Sequence, residues 1–346
     1  MAFASDTESL DRAVRPGAQR VGVLFANRSE GAAAAHLPRA SALDEFRRAR
    51  LELAFAVEGC ASFSPVLRAL CRIETWLSRP PRIAISGEFN CGKSTLVNML
   101  IGVDALPTAA VSNTRIPTLL YFAVEPSVMA VHHDGRRHAL SALSPIEAMA
   151  SAGILRLEVG LPSERLRRVQ ILDLPGLDDP NVAGAPYELS QHNADAIVWC
   201  TVATQAWKES ERTAWLDMPG YLRARGILLA TFADLLGSAD DQRSVFGRLQ
   251  GEAGPHFREI VMVSAKAAQN APGDGEVSCG HDEILDRDWG QGRLNCALDR
   301  VIAFADDQRV VAALSVVGRL ARHTLKRLDN SAAAGMHVAA IAADAH

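Results

Sequence analysis

Nowhere in the 346 residues do about 18 uncharged apolar residues run together, so no helix of this chain is expected to cross a bilayer. A secretory leader is not expected either: Met1 to Asp11 holds three acidic residues and no apolar core. The reading is a cytoplasmic protein that meets a membrane at most peripherally. A basic surplus is also lacking, with 36 Lys and Arg against 40 Asp and Glu and a net charge of -4. Nucleic-acid binders usually carry one, so no nucleic acid is expected among the partners. Six cysteines, at 60, 71, 91, 200, 279 and 296, show no paired spacing. That argues against a zinc site or a disulfide framework and for a reducing compartment. Cys279, His281 and Asp282 lie close together, but without a second ligand pair they read as an ordinary loop.

What the chain has is apolar substance, 48% of its residues, ample for a buried core. Residues 1–38 mix Gly, Ser, Arg and an alanine run without steady period and are expected to be loosely ordered. From 39 to 79 apolar residues recur at helical spacings, broken near Gly59 to Pro65, which predicts two helices. Residues 80–290 alternate short apolar runs with helix-like stretches. The strand candidates run from Arg82, Thr118, Ser127, Arg136, Ile154, Arg168, Ala196, Gly226 and Glu259, and Asp134-Gly135 marks a hairpin. That alternation predicts an α/β fold with a mostly parallel, doubly wound sheet. Residues 291–328 read as one long helix, followed by a flexible tail over 329–346.

Gly87-Glu88-Phe89-Asn90-Cys91-Gly92-Lys93-Ser94 is a complete phosphate-binding loop between a strand-like and a helix-like run. Glycines let backbone N–H groups turn in around phosphates, Lys93 can reach the β and γ oxygens, and the Ser94 hydroxyl can hold Mg²⁺. A plain glycine-rich turn would have no use for the Lys and Ser. About 80 residues on, Asp173-Leu174-Pro175-Gly176 ends a strand where such a site needs a carboxylate on the Mg²⁺ shell and a glycine N–H beside the γ-phosphate. Thr114 stands between the loop helix and the next strand, either as a mobile Mg²⁺ ligand or as an ordinary loop threonine.

In order, Gly87 to Asn98, Leu106-Pro107, Thr114-Arg115-Ile116-Pro117, Asp173 to Gly176, Thr231-Phe232-Ala233-Asp234 and Ser264-Ala265-Lys266 resemble the GTPase domain of the dynamin family, bacterial dynamin-like proteins especially. The resemblance covers roughly residues 80 to 270 and the flanking helices, and the order of motifs is more specific than any one of them. It implies GTP and GDP as ligands and Mg²⁺ as cofactor. Nucleotide contacts are implied for Gly87, Glu88, Phe89, Asn90, Cys91, Gly92, Lys93, Ser94 and Thr95, for Asp173 and Gly176, for Thr231 and Asp234, and for Ser264, Ala265 and Lys266. Mg²⁺ falls to Ser94, Thr114 and Asp173, and catalysis to Asn90, Lys93, Thr114 and Gly176. By position Asn90 corresponds to a dynamin serine that helps hold a monovalent cation, and to an asparagine of potassium-activated GTPases, so K⁺ is implied; its other reading is a residue that shapes the turn.

Two positions depart from the family pattern. Phe232 stands where a lysine normally lies along the base and the phosphate loop. It either stacks on the base, a contact of roughly 1–3 kcal/mol in stacking sites, or is a core residue that leaves affinity low. Asp234 is kept, and a carboxylate accepting from guanine's ring N–H and exocyclic amine discriminates against adenine. Leu177 follows the second-switch glycine, so no glutamine orients the attacking water there. The resemblance further implies a short neck bundle of helices 39–79 and 291–328, without a long stalk, and self-association through the GTPase face or with a second dynamin-like subunit. Arg319, Arg322, Lys326 and Arg327 form a basic helix face, solvated or turned to an anionic surface. Trp199, Trp207 and Trp215 read as packing residues. The function expected is a GTP-hydrolysing assembly switch; the alternative is a nucleotide-holding regulatory module with little turnover.

Overall fold

The computed structural model describes residues 43–44, 46–48, 50–51, 64–106, 116–140, 153–176, 194–269 and 289–343, the last helix beyond Leu320 by its backbone alone. Two compact units divide at 79/80 and at 305/306.

In chain order the strands of the 80–305 unit are β1 (Arg82–Gly87), β2 (Thr118–Phe122), β3 (Ser127–His132), β4 (Arg137–Leu140), β5 (Ile154–Leu161), β6 (Gln170–Asp173), β7 (Ala196–Val202), β8 (Gly226–Thr231) and β9 (Glu259–Met262). They form one sheet in the order β4-β3-β5-β2-β6-β1-β7-β8-β9. β1 is parallel to both β6 and β7, and β8 and β9 continue in parallel. β2 runs antiparallel to β6 and parallel to β5; β3 is antiparallel to β5 and to β4. The mostly parallel expectation therefore holds on one side of the sheet, while the other is mixed. Central strands buried on both faces read as unbroken apolar runs, which is why β1 and β8, buried throughout, were legible from composition. The β3–β4 hairpin turns at Asp134-Gly135, where Gly135 has φ 85° and the Asp134 carboxylate accepts from Arg136 N at 2.9 Å.

Each face of the sheet carries a core. On one, Ile83, Ile85, Val198, Cys200 and Leu229 pack with α1 (Lys93–Ile101) and with the first turns of the last helix, through Leu294, Leu298, Val301 and Ala305. On the other, Ala84, Ile197, Trp199 and Leu228 pack under Trp207, Trp215, Leu249 and Phe257. Trp199 meets Trp215 edge-on at 5.5 Å, and Trp215 stacks on Phe257 at 4.1 Å. All three tryptophans are thus core residues, as read from the sequence. Gly226 has to be glycine because a Cβ there would stand 2.3 Å from the Trp215 ring.

The other unit is helical, with α1′ (Ser64–Ser78) and the later part of the last helix, which spans Gln291–Ala343. Residues described within 43–51 are helical as well. Here the buried Arg309 guanidinium donates to the carbonyls of Trp76 and Arg79 and to Asp306 Oδ1, and lies 5.3 Å from the Trp76 ring centre.

Three expectations are corrected. The last helix continues through the stretch read as a tail, because its run of alanines and small residues carries high helix propensity and contains no proline. Its first fifteen residues belong with the sheet rather than with the neck, since Leu294, Leu298 and Val301 fill the core of that unit. Among the described cysteines, 71, 91 and 200 are free thiols but Cys296 is disulfide-bonded, since pairing depends on proximity in the fold and not on sequence spacing.

Candidate functional site

The C-terminal ends of β1, β6, β7 and β8 lie side by side, the edge at which open parallel sheets take their ligands. β1 runs into the phosphate loop at Gly87, with φ 142°. A Cβ at Gly87 would stand 2.2 Å from the Cys200 carbonyl oxygen, so only glycine lets the loop leave the sheet here. Asn90 and Gly92 take left-handed φ of 58° and 83°, and α1 starts directly after Gly92. Asparagine is among the few side-chain-bearing residues that tolerate this region. Successive N–H groups in such turns form anion-binding concavities at a helix N-terminus.

Lys93 is buried, its ammonium donating to the carbonyls of Gly87 at 3.2 Å and Glu88 at 2.6 Å, with Cys91 Sγ at 3.8 Å. Ser94 Oγ donates to Asp173 Oδ2 at 3.3 Å, joining the loop to the end of β6. Burial raises the Asp173 pKa to about 6, although the Lys93 charge and the Ser94 hydroxyl pull the other way. Its Oδ1 is buried without a hydrogen-bond partner. A hydroxyl beside a buried carboxylate with one unengaged oxygen fits a hard divalent cation such as Mg²⁺. Gly176 touches the loop as well: a Cβ there would lie 2.9 Å from Phe89 Cα, so a side chain at this position would push the two motifs apart.

On the base side the structure departs from the pattern of direct contacts. Thr231 turns its hydroxyl inward, donating to the carbonyls of Cys91 at 2.8 Å and Thr201 at 3.0 Å, so it fastens the phosphate loop to β7. Phe232 has φ 54° and is half-buried outside both core clusters; its ring edge stands 3.3 Å from where a Gly92 Cβ would be. The aromatic therefore lies against the phosphate loop, in the place the sequence assigned to a lysine stem. Asp234 is exposed in the short 3-10 turn Ala233–Leu235, and Ala233 N donates to Val263 O at 3.2 Å, which joins the loops after β8 and β9. Ser264 is buried and its hydroxyl accepts from Ala267 N at 3.2 Å; Ala265 is buried, and Lys266 is exposed beside them. Thr95, in the first turn of α1, is half-buried.

Sequence reasoning missed the anchors of Glu88. One carboxylate oxygen accepts from Lys208 Nζ at 2.8 Å and the other from Ser210 Oγ at 2.9 Å, while Glu211 receives Thr201 Oγ1 and Lys208 N, each at 2.9 Å. Nothing in the local pattern around 208–211 signals a partner 120 residues away. Thr114, Leu177, Cys279, His281 and Asp282 lie outside the described residues; among the described ones, no group of three His, Cys, Asp or Glu could hold a metal.

A loop, a lysine, a hydroxyl and a carboxylate in this arrangement define a phosphate-loop nucleotide-binding protein. The model of the dynamin family matches residues 83–219. The chain is 41% identical over 113 residues to the isoniazid-induced protein IniC of Mycobacterium tuberculosis, covering 31% of this chain and 23% of that protein. It is 28% identical over 204 residues to dynamin-like protein 2 of Campylobacter jejuni, covering 56% of this chain and 32% of that one. A solved bacterial dynamin, one of an oligomerised pair described as sensing and tethering membranes, superposes with a TM-score of 0.52 at 18% identity, over 85% of this chain and 55% of that one, a likeness of fold alone. Over residues 83–219 the chain is similar to the dynamin family, and it matches about a quarter to a third of the length of these curated relatives.

Proposed function

We propose that this chain binds GTP and GDP with Mg²⁺, hydrolyses GTP, and uses the nucleotide state to control its assembly. The observation that carries the reading is the Ser94–Asp173 contact of 3.3 Å at the phosphate loop, with Lys93 buried in that loop and one Asp173 oxygen unengaged. Ser94 and Asp173 would hold Mg²⁺, with Thr114 as the further ligand the sequence suggests, and the bound ion would neutralise charge on the phosphate oxygens. Lys93 exchanges loop carbonyls for phosphate oxygens, the Gly176 N–H stands beside the γ-phosphate, and Asp234 accepts from guanine. Phe232 flanks the loop from the base side, where a ring can stack.

No glutamine follows Gly176, so other groups must offset the charge that develops on the transferred phosphoryl group. The exposed, left-handed Asn90 is suited to hold K⁺ there. Phosphate release should be Mg²⁺-dependent and faster in K⁺ than in a larger inert cation, and Asn90→Ala should abolish the difference. GTP and GDP should bind about tenfold or more tighter than ATP in a fluorescent-nucleotide titration, and equal or tighter ATP binding would sink the guanine reading. A second reading, a module that holds nucleotide with little turnover, is favoured by Phe232 in place of lysine, and tight GTP binding without phosphate release would establish it.

Phe89, 40% exposed, and Leu235, 62% exposed, stand on the phosphate and base sides of the site, an apolar pair that a second GTPase face or dynamin-like subunit would cover. The expected result in light scattering is a monomer with GDP and a dimer with a fluoride-based transition-state mimic. Identical mass in both states would count against nucleotide-driven assembly. Membrane contact is read as peripheral and weak: no described helix is long and apolar enough to cross a bilayer, and the solved dynamin of like fold comes from a pair that tethers membranes.

A further inference from the structure

Glu88, next to Gly87, carries a carboxylate into a loop whose N–H groups are shaped to receive an anion. Its backbone carbonyl accepts from Lys93 Nζ at 2.6 Å, so the residue stands beside the ammonium that meets phosphate in the reading above. The side chain is only 17% exposed, and water screens it poorly. A carboxylate loose at this position would repel an incoming phosphate and compete with it for the loop's donors.

In the structure that carboxylate is tied back through both oxygens. Lys208 Nζ donates to one at 2.8 Å and Ser210 Oγ to the other at 2.9 Å. Lys208 precedes the helix Glu209–Leu216 and Ser210 lies in its first turn. Their mount is fixed. Trp207 is buried edge-on to Phe257 at 5.1 Å and takes φ 62°, rare for a bulky residue, with its N–H held by Thr201 Oγ1 at 3.2 Å. The next N–H, that of Lys208, is held at 2.9 Å by the buried Glu211 carboxylate, which also accepts from Thr201 Oγ1. The nucleotide chemistry above uses none of Trp207, Lys208, Ser210 or Glu211, yet the core holds Lys208 in place against Glu88.

We propose that Lys208, aided by Ser210, is a positioning residue for nucleotide binding: it neutralises the Glu88 carboxylate and holds it out of the phosphate loop, so that the loop's N–H groups stay open to phosphate. This rests on the nucleotide reading above. An untied carboxylate beside those donors competes with phosphate as an anion of the chain's own, at high effective concentration. Apparent affinity falls with the fraction of loops left open, so a loop open about one-tenth of the time binds about tenfold more weakly.

The test is a double-mutant cycle on the full chain, read by fluorescent-GDP titration at fixed Mg²⁺ and salt, with a thermal melt of each variant. Lys208→Met frees the carboxylate and should weaken GDP binding by about tenfold. Adding Glu88→Gln to Lys208→Met removes the competing charge and should restore most of that loss, whereas Glu88→Gln in the parent should gain far less. Binding by Lys208→Met within about twofold of the parent would overturn the proposal. So would a loss that Glu88→Gln leaves in place, which marks a brace of the fold instead. Equal gains from Glu88→Gln in both backgrounds would show two independent charges and also overturn it. If Lys208→Met does not fold, recovery of folding and GDP binding by Glu88→Gln supports the uncompensated carboxylate, and failure of both chains to fold overturns it. A folded parent that binds no GDP would overturn the nucleotide reading and this inference together. Each of the other failures strikes the inference and leaves that reading standing.

Discussion

Replacing Lys93 with alanine should weaken GTP and GDP binding by at least about 100-fold, the loss of roughly 3 kcal/mol expected when charge-assisted hydrogen bonds to phosphate disappear. Lys93 is the buried cation of the phosphate loop, and its hydrogen bonds go to the loop's own Gly87 and Glu88 carbonyls. It is therefore already positioned where a phosphate would sit, and no other Lys or Arg has a described hydrogen bond to the loop's backbone. Because the same bonds brace the loop, a thermal melt must accompany the titration. A variant that melts with the parent yet binds fluorescent GDP within threefold of it would remove the nucleotide assignment from this site.

Asp173 should make the stability of the nucleotide-free chain fall as pH rises from about 4 to above 6. Burial raises its pKa from 3.8 to about 6. Between those values the folded state keeps a proton that the unfolded state has released, so unfolding gives up a proton and becomes easier as pH rises. At 1.36 kcal/mol per pH unit the effect is at most about 3 kcal/mol. Asp173→Asn removes the ionisation; the variant should match the parent in acid and exceed it in stability at pH 7.5, while Mg²⁺ no longer tightens GDP binding. Melts across pH, with and without Mg²⁺, check both parts. A difference between parent and variant that does not change with pH would show that Asp173 ionises normally, and a Mg²⁺ effect retained in Asp173→Asn would move the metal elsewhere.

Both predictions start from motifs legible in one dimension. Eight consecutive residues make the phosphate loop because its geometry is local: Gly87, Asn90 and Gly92 each adopt a φ that few other residues tolerate, so backbone preference alone marks them. The central strands were legible for a similar reason, since burial on both faces demands unbroken apolar runs. The order of the strands on the mixed side of the sheet was not, because a short run does not say which neighbour it pairs with, and β5 reached β2 in parallel while β2 turned against β6. The last helix was misjudged where its sequence is small and unpatterned, a region in which periodicity has nothing to report, and in its first turns, whose packing on the sheet no period encodes.

At the site the same division applies. The sequence by itself determined the chemistry present: a lysine, a serine, an aspartate and glycines in the order of a dynamin GTPase domain. Tertiary structure alone decided what those groups do to one another. It aimed the Thr231 hydroxyl at a carbonyl 140 residues away instead of at a base, and laid Phe232 against Gly92. It clasped Glu88 with Lys208 and Ser210, and set Gly176 against Phe89. Each of these depends on which strand ends stand side by side at one edge of the sheet. That arrangement follows from packing two apolar faces against helices, a property of the whole fold that no local stretch of sequence encodes.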